Sequence, residues 1–237
     1  MELDEYAPQR RLGPDEYRPV WQRPTAPEHR WPVFLAVAVG IAGQTWIAGA
    51  LAVRPIWIYP LIAGVLLLTS LAIYLPSRRE PPRALRFVSL GLTGVLVAAS
   101  VVVLVLLLRG VFVGFSLSPG RLFVTGVVFW ITNIAVFALI FWELDGNGPE
   151  ARAKGKTDYP DLVYPQQQRD QEGLVAPDWK PMFADYLFTS LYTATAFSPT
   201  DAMPYSRWAK LVMGFEAVMS LATIAMLVAR AINVAKG

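Results

Sequence analysis

Residues 182–204 read MFADYLFTSLYTATAFSPTDAMP. An apolar run from Phe183 to Phe197 breaks at Ser198-Pro199-Thr200-Asp201. A helix that crosses a bilayer needs roughly 20 apolar residues at about 1.5 Å of rise each. The run is too short for that and suits a helix that enters a membrane and turns back. Irregular backbone at membrane depth is tolerated only where protein or water encloses it, so the Ser-Pro-Thr-Asp turn should be shut in. That marks it as a candidate site. Beyond it, residues 207–233 form an apolar segment long enough to span.

The remainder of the chain has the composition of an integral membrane protein. Of 237 residues 54% are hydrophobic, the mean hydropathy is +0.41, and the apolar residues come in blocks too long for core helices of a soluble domain. Working back from the terminal unit, residues 122–142 form a span with Thr132-Asn133 near its centre. Asn133 there requires a partner on a neighbouring helix. Residues 87–108 are almost pure Val, Leu, Ala and Gly, and residues 56–75 place Trp57, Tyr59 and Tyr74 at the two interfaces, where amphipathic rings settle. Residues 31–53 give the first span, with Gln44 near mid-depth expected to hydrogen-bond a neighbour. The glycine-broken stretch 110–120 reads as an interfacial loop. The predicted fold is all-α and integral to the membrane, with five transmembrane helices plus one re-entrant pore-type helix. It divides into a polar Pro/Arg-rich tail (1–30), a three-helix membrane unit (31–109) and a terminal module (122–237) that includes a polar loop at 144–181.

Several function classes are excluded or disfavoured. With no cysteine there is no disulfide, thiolate metal site or thiol catalysis, and the single histidine, His29, sits in the polar tail beside Arg30. No nucleophile, histidine and acid can be grouped, so neither an enzyme nor a bound metal or cofactor is expected. The net charge of +3 is spread over loops with no basic run interleaved with aromatics, and nucleic acid is not an expected partner. Residues 1–30 carry six acidic side chains and five arginines without an apolar core, which is not the pattern of a cleavable signal peptide. Loop 144–181, with seven acidic and five basic side chains, is expected to be exposed and available to a protein partner. Its Asp145-Gly-Asn147 lacks the later ligands of a calcium loop, since Pro149 and Glu150 follow.

The terminal unit resembles the pore module of two-helix tetrameric potassium channels. There a pore helix ends in threonines and is followed by a glycine-tyrosine-glycine filter, an acid and, three positions on, a proline. Thr195, Ala196 and Phe197 stand at the filter entry, Asp201 at the acid and Pro204 at the proline. The following segment, with Glu216 and Ala229-Arg230, is similar to the inner helix of bacterial members. The stretch from Ala196 to Pro204 also resembles uncharacterised bacterial multi-pass membrane proteins, which implies the plasma (inner) membrane of a bacterium. The resemblance implies a homotetramer passing inorganic cations. Hydroxyls of Thr193, Thr195, Ser198 and Thr200 and a ring of Asp201 carboxylates would line the path, with Glu216 and Asn133 in support. Ser198, Pro199 and Thr200 replace the glycines whose carbonyls form a potassium ladder. Proline fixes φ and threonine resists positive φ, so the filter is degenerate and the implied path wider and weakly selective.

The same residues have a plainer reading, a capping box with Ser198 as N-cap, Pro199 at the first helical position and Asp201 at the third. The matching alternative function is a non-conducting structural or accessory subunit that uses a channel-like fold for assembly. Orientation is also read two ways. Nine arginines of the tail and the 76–86 loop face Arg54, Arg109, Arg121, Arg230 and Lys236 across the membrane, which puts the tail in the cytoplasm. The channel resemblance puts the C-terminus there instead. The arginine loop is the stronger signal.

Overall fold

A backbone in lipid must satisfy its own polar groups, so apolar blocks of this length become helices. The structure, a computed structural model, describes residues 19–55, 57–75, 83–113, 118–168, 175–176, 179–195 and 202–235. Its elements are α1 (Trp31–Ala50), α2 (Ile58–Tyr74), α3 (Arg83–Val113), α4 (Pro119–Leu144), α5 (Pro149–Ala153), β1 (Leu162–Val163), α6 (Phe183–Thr195), β2 (Met203–Pro204) and α7 (Arg207–Ala235), with single 3₁₀ turns between some of them. Four stretches, Trp31–Ala50, Arg83–Gly110, Gly120–Asn147 and Arg207–Ala229, are long and apolar enough to cross a membrane, and α2 is a shorter apolar helix. The architecture is that of a mostly helical, multi-pass membrane protein.

Local chemistry sets the helix ends. Proline in the first turn of α1 and of α4 costs no internal hydrogen bond. α1 stops in a Schellman turn: Val53 N–H donates to Ala48 O at 2.9 Å and Ala52 N–H to Gly49 O at 3.2 Å. Ala52 takes the left-handed conformation there, φ 54°, where glycine is usual. At the end of α4, Arg152 Nη1 donates to the carbonyls of Trp142 (2.8 Å) and Asp145 (2.6 Å), the latter also accepting from Gly148 N–H (2.9 Å).

α4 is the central helix. Residues 132–143 are buried without interruption, and α1, α3, α6 and α7 all pack on it. Close approach is bought with small residues: a Cβ on Gly43 would meet Thr132 Oγ1 at 2.2 Å, and one on Gly126 would meet Leu227 Cδ2 at 2.5 Å. Gln44 donates to Leu96 O (2.9 Å) and Ser100 Oγ (2.7 Å) on α3, the neighbouring-helix bond its depth requires.

Two expectations differ from the structure. The 110–120 stretch is not simply an interfacial loop, because α3 runs on to Val113 and α4 starts at Pro119. Gly110 alone does not end a helix where each unpaired peptide group is costly. The polar connection after α4 is not exposed throughout, since Leu162, Tyr164 and Thr157 are buried. A buried carboxylate helps to organise it. Asp145 Oδ1 accepts from the backbone N–H of Asp161 (2.9 Å) and Leu162 (3.0 Å), and Oδ2 accepts from the Tyr186 hydroxyl (2.7 Å). β1 then pairs antiparallel with β2, Leu162 opposite Pro204 and Val163 opposite Met203.

These bonds gather one end of the bundle into a cap. It holds the starts of α1, α3, α6 and α7 and the ends of α2 and α4. Residues 19–30 run across it, Thr25 N–H donating to Ala153 O at 2.9 Å and Trp21 Nε1 to Asp158 O at 3.3 Å. The opposite end carries Arg54, Arg109 and Arg121 and, among the described residues, no carboxylate.

Candidate functional site

α6 is a 13-residue helix, about 20 Å long at 1.5 Å per residue. Its first turn is fixed from three sides. Met182 N–H donates to Asp185 Oδ2 (2.7 Å), one half of a capping box, and Phe183 N–H donates to Glu28 Oε1 (2.6 Å). Glu28 Oε2 meanwhile accepts from Trp142 Nε1 at 2.8 Å, so one carboxylate joins the N-terminal arm, the end of α4 and the start of α6. A carboxylate there also favours the positive end of the helix dipole. Arg30 lies over the Trp142 ring at 5.2 Å and Arg152 over the Tyr186 ring at 5.0 Å. Burial pushes the Arg30 guanidinium down from its ordinary value, opposed by the nearby Glu143 and Glu150.

One face of α6 is a polar stripe, Tyr186, Thr189, Ser190 and Thr193, all buried. The spacing i, i+3, i+4, i+7 sets them on one side of the helix. Tyr164 reaches Thr189 Oγ1 at 3.1 Å from the cap. Thr189 already gives its hydrogen to Asp185 O (2.9 Å), so the tyrosine is the donor. Burial raises the Tyr164 phenol above its usual value. Lower down, Ser190 Oγ lies 2.9 Å from Ile134 O on α4 and also contacts Glu216 Oε1 on α7. The opposite face of α6 is apolar, with Leu187 and Phe188 exposed and Phe188 stacked on Tyr192.

The predicted site residues fall into three groups. Thr193 and Thr195 are on the last turn of α6; Thr193 is buried, and their hydroxyls donate to Thr189 O (2.8 Å) and Leu191 O (2.9 Å). Glu216 and Asn133 are buried on α7 and α4, Asn133 Nδ2 donating to Ser220 Oγ at 3.3 Å one turn along from Glu216. Ala196, Phe197, Ser198, Pro199, Thr200 and Asp201 lie outside the described residues. The chain re-enters at Ala202, buried, and Tyr205 N–H donates to Asp161 O (2.8 Å) while Trp208 Nε1 donates to Asp161 Oδ1 (2.7 Å). Among the described residues no group of three His, Cys, Asp or Glu is placed to hold a metal.

Sequence reasoning missed Glu28, Asp145, Asp161 and Ser190. The polar stripe was the available signal for Ser190, because hydroxyls repeating at helical spacing in an apolar run face protein rather than lipid. Glu28 and Asp161 had none. No known protein family, curated protein or solved structure matches the chain.

Proposed function

We propose that this is a channel-like membrane protein, in which α1 to α4 and α7 are five spans and α6 is a re-entrant pore-type helix. Four copies set α6 and residues 196–201 around a common axis and form a weakly selective path for small inorganic cations. One observation carries the reading: the segment that leaves the cap at Phe183 is back at the cap by Met203, while its Ser190 meets Ile134 near the middle of α4. A helix that goes in and returns on the same side places its C-terminal end, with partial negative charge, inside the membrane. Asp201 and the hydroxyls of Thr193, Thr195, Ser198 and Thr200 supply oxygen ligands at and beyond that end, with Asn133 and Glu216 behind them. The exposed apolar faces of α6 and α7, including Phe188, Phe215, Val218 and Leu221, are where a neighbouring copy shields the turn from lipid.

Reconstitution in planar bilayers tests this. Cation currents should appear with wild type and fall several-fold with Asp201→Asn; silence in all common cations and anions removes the channel reading. Silence would favour a non-conducting accessory subunit. The observation on its side is the folded cap, which offers a shaped surface with Tyr159 84% exposed instead of a loose loop.

A further inference from the structure

Glu216 is fully buried, nine residues into α7. Oε1 contacts Ser190 Oγ, and Oε2 has no hydrogen-bond partner. The charged side chains nearest along the packed elements are Asp185 on α6, Lys210 on α7 and Glu143 on α4, each more than one helical turn from Ser190, Glu216 and Ile134 respectively. Phe137 of α4 packs on Phe215 beside it. A carboxylate here would be a lone charge with an empty oxygen, the costliest kind of buried group.

The hydroxyl of Ser190 cannot donate to both of its neighbours. It has one hydrogen and two acceptor-type neighbours, Ile134 O at 2.9 Å and Glu216 Oε1. If that hydrogen goes to Ile134 O, the contact with Glu216 is a hydrogen bond only when Glu216 carries the proton and donates it to Ser190 Oγ. The order is then Glu216 O–H to Ser190 O–H to Ile134 carbonyl, each donor with one acceptor. Oε2 becomes the carbonyl oxygen of a neutral acid, for which lacking a partner costs far less than for a carboxylate.

The geometry points to Glu216 as a membrane-buried proton-binding site, occupied at neutral pH, whose proton links α7 through α6 to α4. When Glu216 gives its proton to water, the Ser190 hydrogen turns to the new carboxylate and leaves Ile134 O. The hydrogen bond between α6 and α4 at this depth is then lost, leaving their apolar packing in place. The site is independent of whether the chain conducts.

Infrared spectroscopy of the full-length protein in nanodiscs reads the proton directly. At neutral pH a carbonyl stretch of a protonated carboxylic acid, shifted by exchange into heavy water, should be present, absent in Glu216→Gln and displaced in Ser190→Ala. Glu143→Gln and Asp145→Asn identify bands from the other buried acids. No such band in wild type, a band that Glu216→Gln leaves intact, or a band that Ser190→Ala leaves unmoved, each overturns the proposal. Should Glu216→Gln not fold, the Ser190→Ala displacement alone decides. Thermal unfolding gives a second reading: Glu216→Gln, which mimics the neutral acid, should unfold within a few degrees of wild type. Stabilisation by sodium over choline that Glu216→Gln abolishes would place a cation there instead of a proton and overturn the proposal. Silent bilayers together with the expected spectrum would sink conduction and leave the proton site standing.

Discussion

At Ala52 and Tyr164 single atoms decide local free energies that can be measured. An L-residue in the left-handed region pays about 1–2 kcal/mol, and Ala52 sits there at φ 54° because the Schellman turn ending α1 requires it. Ala52→Gly should therefore stabilise the protein by about 1 kcal/mol, with part of the gain offset by glycine's freedom in the unfolded chain. A thermal midpoint raised by a few degrees checks this, and a lowered one refutes it. Tyr164→Phe removes the donor to Thr189 and should cost about 1 kcal/mol. The Tyr164 phenol is raised in the folded state above its ordinary 10.0. Its contribution is thus fully present below pH 10 and lost as pH climbs through the folded value. The alkaline decline in stability should be shallower in Tyr164→Phe than in wild type.

Helices and the cap show what a sequence makes visible and what it hides. Lengths and apolar blocks located every long helix, since the hydrocarbon solvent acts on each block by itself. Gln44 was legible for the same reason: an amide at mid-depth must find a partner. The cap was not. Asp145 reads as one acid at a helix end, while its partners Asp161, Leu162 and Tyr186 lie 16, 17 and 41 positions away. Removing the carboxylate with Asp145→Ala orphans two backbone N–H groups and a phenol, a loss of about 3 kcal/mol or more. It should expose residues 145–168 to protease in folded protein, and unchanged cleavage would show that β1–β2 pairing alone holds the cap. The candidate site was legible only as a spacing. The arm that fixes it, through Glu28, is a long-range contact that no local pattern announces.

For the whole molecule the question is which end faces the cytoplasm and how copies meet. Arg23, Arg30, Arg83, Arg86, Arg152, Lys154, Lys156, Lys180 and Arg207 belong to the cap end, against Arg54, Arg109, Arg121 and Arg230 toward the far end. The positive-inside rule favours a cytoplasmic cap. A C-terminal alkaline phosphatase fusion is then active and a fluorescent-protein fusion at the same place dark; the reverse pattern refutes this orientation. Native mass spectrometry of protein released from nanodiscs should give four chains, and a monomer would leave α6 without its enclosing neighbours. The pairing of β1 with β2 has one more consequence. It ties residues 162–163 to 203–204, so the two ends of the stretch that carries α6 lie side by side at the cap. An exchange of this stretch between proteins would have its two junctions already side by side, and would have to bring its docking partners with it, because Glu28 of the arm, Ile134 of α4 and Glu216 of α7 all bond to α6.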